Sequence, residues 1–137
     1  MNPNLLTNKR IFIIEDNMAN VVIERMLLEQ KGARVITDRW GIDAPAHIRK
    51  AMPVELILLD LMFPENISGY DVFRDLRAHT EFDHIPIIAV SASDPSTAIP
   101  KTQAYGFNGF IAKPVSFDLF PEQIARILNG EKVWYRG

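Results

Sequence analysis

Five side chains able to do acid, base or phosphate chemistry stand where short apolar runs stop. Glu15 and Asp16 follow "RIFII", Asp60 ends "ELILLD", Ser91 ends "PIIAVS" and Lys113 follows "GFIA". A carboxylate at the edge of a buried run must be paired, hydrogen-bonded or metal-bound, or it takes up a proton. Three carboxylates near one another repel unless a cation sits among them, and hard oxygen donors favour Mg2+ or a similar ion. An aspartate beside such an ion, an amine and a hydroxyl can act as a nucleophile toward a phosphoryl group, giving an aspartyl phosphate. The ion and Lys113 would offset charge on the phosphoryl oxygens, and Ser91 would hydrogen-bond one of them.

That chemistry requires the runs to lie side by side. The runs at 10–14, 33–36, 55–60, 86–91 and 109–112 are continuous rather than alternating, as in strands buried on both faces of a parallel sheet. Amphipathic segments separate them. The spacing predicts helices from about Asn17 to Lys31, with Val22, Ile23, Met26 and Leu27 on the apolar side, from Asp43 to Met52, and from Tyr70 to His79. A fifth helix is predicted from an N-cap at Ser116 to Gly130, with Pro121 in an irregular first turn. Between Asp94 and Gly106 a short or kinked element is expected, because Pro100 removes an interior hydrogen bond. Such a βα series predicts an α/β fold, a doubly wound parallel sheet of five strands with helices on both faces. Ligands in such sheets bind beyond the carboxyl ends of the strands, where the strand order reverses.

The chain has 137 residues, 47% of them hydrophobic, which predicts one domain over 1–137 with a core from about 9 to 130. A net charge of -2 without a Lys/Arg run argues against a nucleic-acid face. No cysteine is available for disulfides or thiolate metal sites, which fits a cytoplasmic setting. The start "MNPNLLTNKR" shows no apolar signal segment, and no apolar run approaches the roughly 20 residues of a membrane span. The sequon at Asn66 is read as chance, and His47, His79 and His84 show no ligand spacing.

Taken together, "IFIIEDN", "LILLDLMFP", "IIAVSAS" and "GFIAKP" resemble, in order and spacing, the receiver domain of two-component response regulators, over nearly the whole chain. The resemblance implies a flavodoxin-like strand order of 2-1-3-4-5. It implies that Asp60 is the phosphoacceptor and that Mg2+ is held by Asp16 directly, Glu15 through water, Asp60 and the Met62 backbone carbonyl. Ser91 and Lys113 take the positions of the conserved hydroxyl and amine, Pro114 would follow a cis peptide, and Phe110 takes that of the aromatic switch residue. Met62 and Ser93 occupy the positions that tune hydrolysis. Neither can orient a water as an acid or amide would, which predicts a long-lived phosphate. The implied donor is a histidine kinase or histidine phosphotransfer protein, and the implied output is a changed surface around the fourth helix, fifth strand and fifth helix, in a monomer or weak homodimer. The chain would signal rather than act as an enzyme.

Two departures from that pattern stand out. The loop "MFPENISGYD" is one residue longer than usual, with Gly69 expected to supply the turn into the third helix and the Met62 carbonyl expected to shift. Pro100 disturbs the signalling face. Singly, Asp16 and Asp60 read as helix caps, Ser91 as a strand-end hydroxyl, Lys113 as a solvated amine and Phe110 equally as core; their joint placement favours the site. The tail residues Trp134 and Tyr135 are expected to pack against the body. The alternative reading is a phosphorylation-independent interaction module. An Asp-nucleophile hydrolase falls behind because Met62 stands where its second Asp belongs, and a flavin carrier because Glu15 and Asp16 would repel a flavin phosphate.

Overall fold

Each predicted apolar run forms a strand in the computed structural model, which describes residues 2–39 and 41–137. The order along the chain is β1 (Arg10–Ile14), α1 (Met18–Glu29), β2 (Arg34–Asp38), α2 (Ala44–Ala51), β3 (Leu56–Leu59), α3 (Gly69–Arg77), β4 (Ile87–Ser91), α4 (Pro95–Tyr105), β5 (Gly109–Ala112), α5 (Phe120–Leu128) and β6 (Val133–Tyr135). All strands pair in parallel, in the order β2-β1-β3-β4-β5-β6. The five-strand expectation is therefore corrected to six among the described residues. The expected tail is a strand, and "VWY" lines up beside "GFI" of β5.

Strand residues alternate between two cores. Phe12, Ile14, Ile57, Leu59, Ile87, Ala89 and Phe110 face α2, α3 and α4, while Ile11, Ile13, Leu56, Leu58, Ile88, Val90 and Ile111 face α1 and α5. Burial on both sides is why the strands read as unbroken apolar runs. Leu6 and Val133 join the second core from outside the main βα series.

Three local expectations change. In α1 the buried face is Val21, Glu24, Leu27 and Leu28, and Val22 is 59% exposed. Leu27 and Ile23 of the expected face pack on the second core beside Leu28, while Met26 is exposed with Val22. The fifth helix begins at Phe120 rather than at Ser116; the Ser116 side chain accepts from Leu119 N–H at 3.1 Å and so closes the turn before the helix. Finally, α4 runs unbroken through Pro100. Pro100 and Ser96, whose carbonyl loses its helical partner, are both exposed, so solvent reaches the freed acceptor.

Candidate functional site

The strand order reverses between β1 and β3, and there the chemistry-bearing residues meet. Parallel pairing of β1 with β3 sets Ile14 opposite Leu59, so that the residues just beyond, Glu15 and Asp60, emerge together. The Asp60 N–H donates to the Ile14 carbonyl at 3.1 Å, extending this register. β4 and β5 close the group from the other side, with Lys113 N–H donating to the Ser91 carbonyl at 2.9 Å.

The Glu15, Asp16, Asp60 and Lys113 side chains come together at this edge. One oxygen each from Glu15, Asp16 and Asp60 lies within 4.8 Å of the others. Lys113 Nζ donates to Asp60 Oδ2 at 3.3 Å and is also paired with Glu15 Oε1. The Lys113 and Asp60 side chains are only 9% and 10% exposed, so this is not a screened surface pair. The second oxygens are held by backbone: Leu61 N–H donates to Asp60 Oδ1 at 2.7 Å, and Asn17 N–H to Glu15 Oε2 at 3.2 Å. Burial works against the charged amine of Lys113, but Asp60 and Glu15 outweigh it and its pKa is raised. Burial raises the pKa of Glu15, the hydrogen bond from Lys113 opposing this and the Asp60 charge adding to it.

Ser91 is buried, yet its hydroxyl is engaged elsewhere. Its Oγ lies 3.0 Å from Ser93 Oγ and accepts from Ser93 N–H at 3.2 Å. Phe110 sits wholly inside the core facing α4, where its ring, lacking a hydroxyl, leaves no polar group unsatisfied. The Lys113–Pro114 peptide is cis, as the resemblance implied; Met52–Pro53 is cis as well.

The long loop is closed on itself. Phe63 N–H donates to the Ile67 carbonyl at 3.0 Å and Gly69 N–H to the Leu61 carbonyl at 2.9 Å, while Met62 and Ser68 form an antiparallel bridge. The excess length goes into a single turn, Pro64–Asn66, where Glu65 and Asn66 take φ of 62° and 60°. Gly69 opens α3 as expected, without a positive φ. It is needed for space: a Cβ there would lie 2.1 Å from the Asp60 carbonyl oxygen. The Met62 side chain is 67% exposed, open to solvent beside the site.

Glu24 was missed by sequence reasoning. It is 2% exposed because it belongs to the helix face presented to the sheet. With Asn20, Lys113 and Pro114 it lines a cavity of about 40 Å³. Burial pushes its pKa up to about 8, against the pull of Lys113. The signal was available: Glu24 lies three residues after Val21 and four before Leu28 on one helical stripe.

The profile of the response regulator receiver domain matches residues 11–125. The chain belongs to this family. The polar-differentiation response regulator DivK of Brucella ovis is 36% identical over 121 residues, covering 88% of this chain and 97% of DivK. A putative response regulator from Chloroflexus aurantiacus superposes with a TM-score of 0.81 at 23% identity, covering 90% of this chain and 99% of that one. The phosphorylated cyanobacterial phytochrome response regulator RcpA gives 0.69 at 27% identity, covering 90% and 91%. Receivers and DivK-like regulators are signalling proteins, and among the described residues no helix is long and apolar enough to cross a membrane.

Proposed function

We propose that this receiver is a phosphoacceptor in a two-component or phosphorelay pathway, with Asp60 taking the phosphoryl group from a phosphohistidine of a histidine kinase or phosphotransfer protein. The observation that carries the reading is the buried ammonium of Lys113, held against Asp60 and Glu15 within the acidic cluster. A receiver used only as a docking module has no need of that costly arrangement. The structure of RcpA in its phosphorylated form supports the same reading.

An Asp60 carboxylate oxygen attacks phosphorus, a P–O bond forms, and the P–N bond to imidazole breaks with its electron pair leaving on nitrogen. Leu61 N–H fixes the carboxylate, and Lys113 offsets the negative charge. The Ser91 hydroxyl exchanges its partner Ser93 for a phosphoryl oxygen. Glu15, Asp16 and Asp60 offer hard oxygens suited to Mg2+ and, with the Met62 carbonyl, would hold it. The ion supplies further positive charge against the phosphoryl oxygens when bound. Phosphorylation then shifts populations of the surface built by α4, β5 and α5, with Phe110 inside it. A cytoplasmic location goes with a phosphohistidine donor.

Incubation with Mg2+ and acetyl phosphate should add one phosphoryl group to the wild type and none to Asp60→Asn, as read by intact mass. An unmodified wild type under conditions that label another receiver would favour the phosphorylation-independent module.

A further inference from the structure

Strand β6 lies against the outer edge of β5, placing Val133, Trp134 and Tyr135 beside Gly109, Phe110 and Ile111. The fit is specific. Gly109 has no side chain where β6 begins, and a Cβ there would lie 2.6 Å from the Val133 carbonyl oxygen. Val133 is buried in the core facing α5, and Trp134 packs on the opposite core, which contains Phe110. The connection from α5 is tied down by Glu131 N–H to the Arg126 carbonyl at 3.0 Å and by the Arg126–Glu131 ion pair at 3.2 Å.

Register places Trp134 at the end of a cross-strand row. Ile14, Leu59, Ala89, Phe110 and Trp134 lie opposite one another in turn across β1, β3, β4, β5 and β6. All but Trp134 are buried members of the core facing α4. The row runs one residue behind Glu15 and Asp60. Ala89 is its smallest member, between Leu59 and Phe110, and Ser91 stands two residues further along the same strand and face. Movement of Ser91 toward a phosphoryl group opens space on the Ala89 side of Phe110. Phe110 fills it by moving away from Trp134, because a packed core does not keep a void beside a large apolar ring.

We propose that β6 is a strap on the β5 edge whose hold depends on Phe110, so that phosphorylation of Asp60 loosens Trp134 and carries the signal into the C-terminal segment. This rests on the phosphoacceptor reading above. The test uses the full chain with Trp40→Phe, leaving Trp134 as the single tryptophan. Mg2+ and beryllofluoride are added while fluorine NMR reports the bound adduct. Acrylamide quenching of Trp134 and hydrogen exchange of the 133–135 amides are read in parallel.

The proposal expects quenching to rise at least about twofold, and exchange at 133–135 to quicken about tenfold, in step with the adduct, a change of ~1.4 kcal/mol in strand opening. Asp60→Asn should show neither change. Adduct formation with unchanged Trp134 and unchanged exchange overturns the strap and leaves the phosphoacceptor reading standing. Absence of any adduct overturns both. Gly109→Ala should give raised quenching and exchange without beryllofluoride; a Gly109→Ala protein that matches the wild type in both counts against the strap.

Discussion

Replacing Glu24 by Gln keeps the shape of a buried side chain and removes its proton. In the unfolded chain this carboxyl ionises near 4.5, whereas in the fold burial holds its pKa at about 8. Between those values the native state keeps a proton that the unfolded state has lost, so stability falls as pH rises through that window. Each pH unit there is worth ~1.4 kcal/mol, which puts the ceiling at about 5 kcal/mol; water in the adjoining cavity would lower it to about 2–4 kcal/mol. Glu24→Gln should unfold at nearly the same urea concentration as wild type at pH 5 and be more stable than it by that amount at pH 8.5. Urea titrations followed by circular dichroism from pH 5 to 9, in EDTA, measure the difference. The raised pKa of Glu15 contributes to both proteins and largely cancels. Parallel stability curves for the two proteins would refute the assignment of Glu24 as a protonated buried acid.

Other substitutions test the remaining contacts. Lys113→Ala should slow acetyl phosphate labelling of Asp60 by at least about tenfold, measured by intact mass against time, because the amine at 3.3 Å is lost. Gly69→Ala forces a Cβ against the Asp60 carbonyl and should cost about 3 kcal/mol or more, seen as a lowered thermal midpoint. The aspartyl phosphate should persist for minutes or longer in Mg2+, since neither the exposed Met62 nor the hydroxyl of Ser93 offers a base. Met62→Asp should shorten that lifetime in the same decay assay.

The strands and the site were legible because both depend on local pattern. A sheet covered on two faces shows as unbroken apolar runs, and the residue after each run is placed at the carboxyl edge whatever the loops do. What escaped depends on competition between distant parts. Val22 and Met26 of α1 have helical spacing as good as that of Val21 and Leu28, and only the sheet decides which stripe is buried. Glu24 travelled inward with the winning stripe. "VWY" is three residues long, too short for periodicity to separate a strand from a packed tail; the missing side chain at Gly109 is what admits it. Pro100 is tolerated because its side of α4 is wet, a property of the assembled fold rather than of the segment.

The hairpin-like closure of the loop after Asp60 makes loop length and acceptor geometry independent variables. Its base is stitched at Leu61–Gly69 and Phe63–Ile67, while the extra residue is spent at the solvent-facing tip of Glu65 and Asn66. An epitope, a fluorophore site or a short peptide inserted between Glu65 and Asn66 would therefore hang from the stitched base without displacing Asp60. The tip is the natural attachment point for a probe meant to sit beside the reaction and leave it undisturbed.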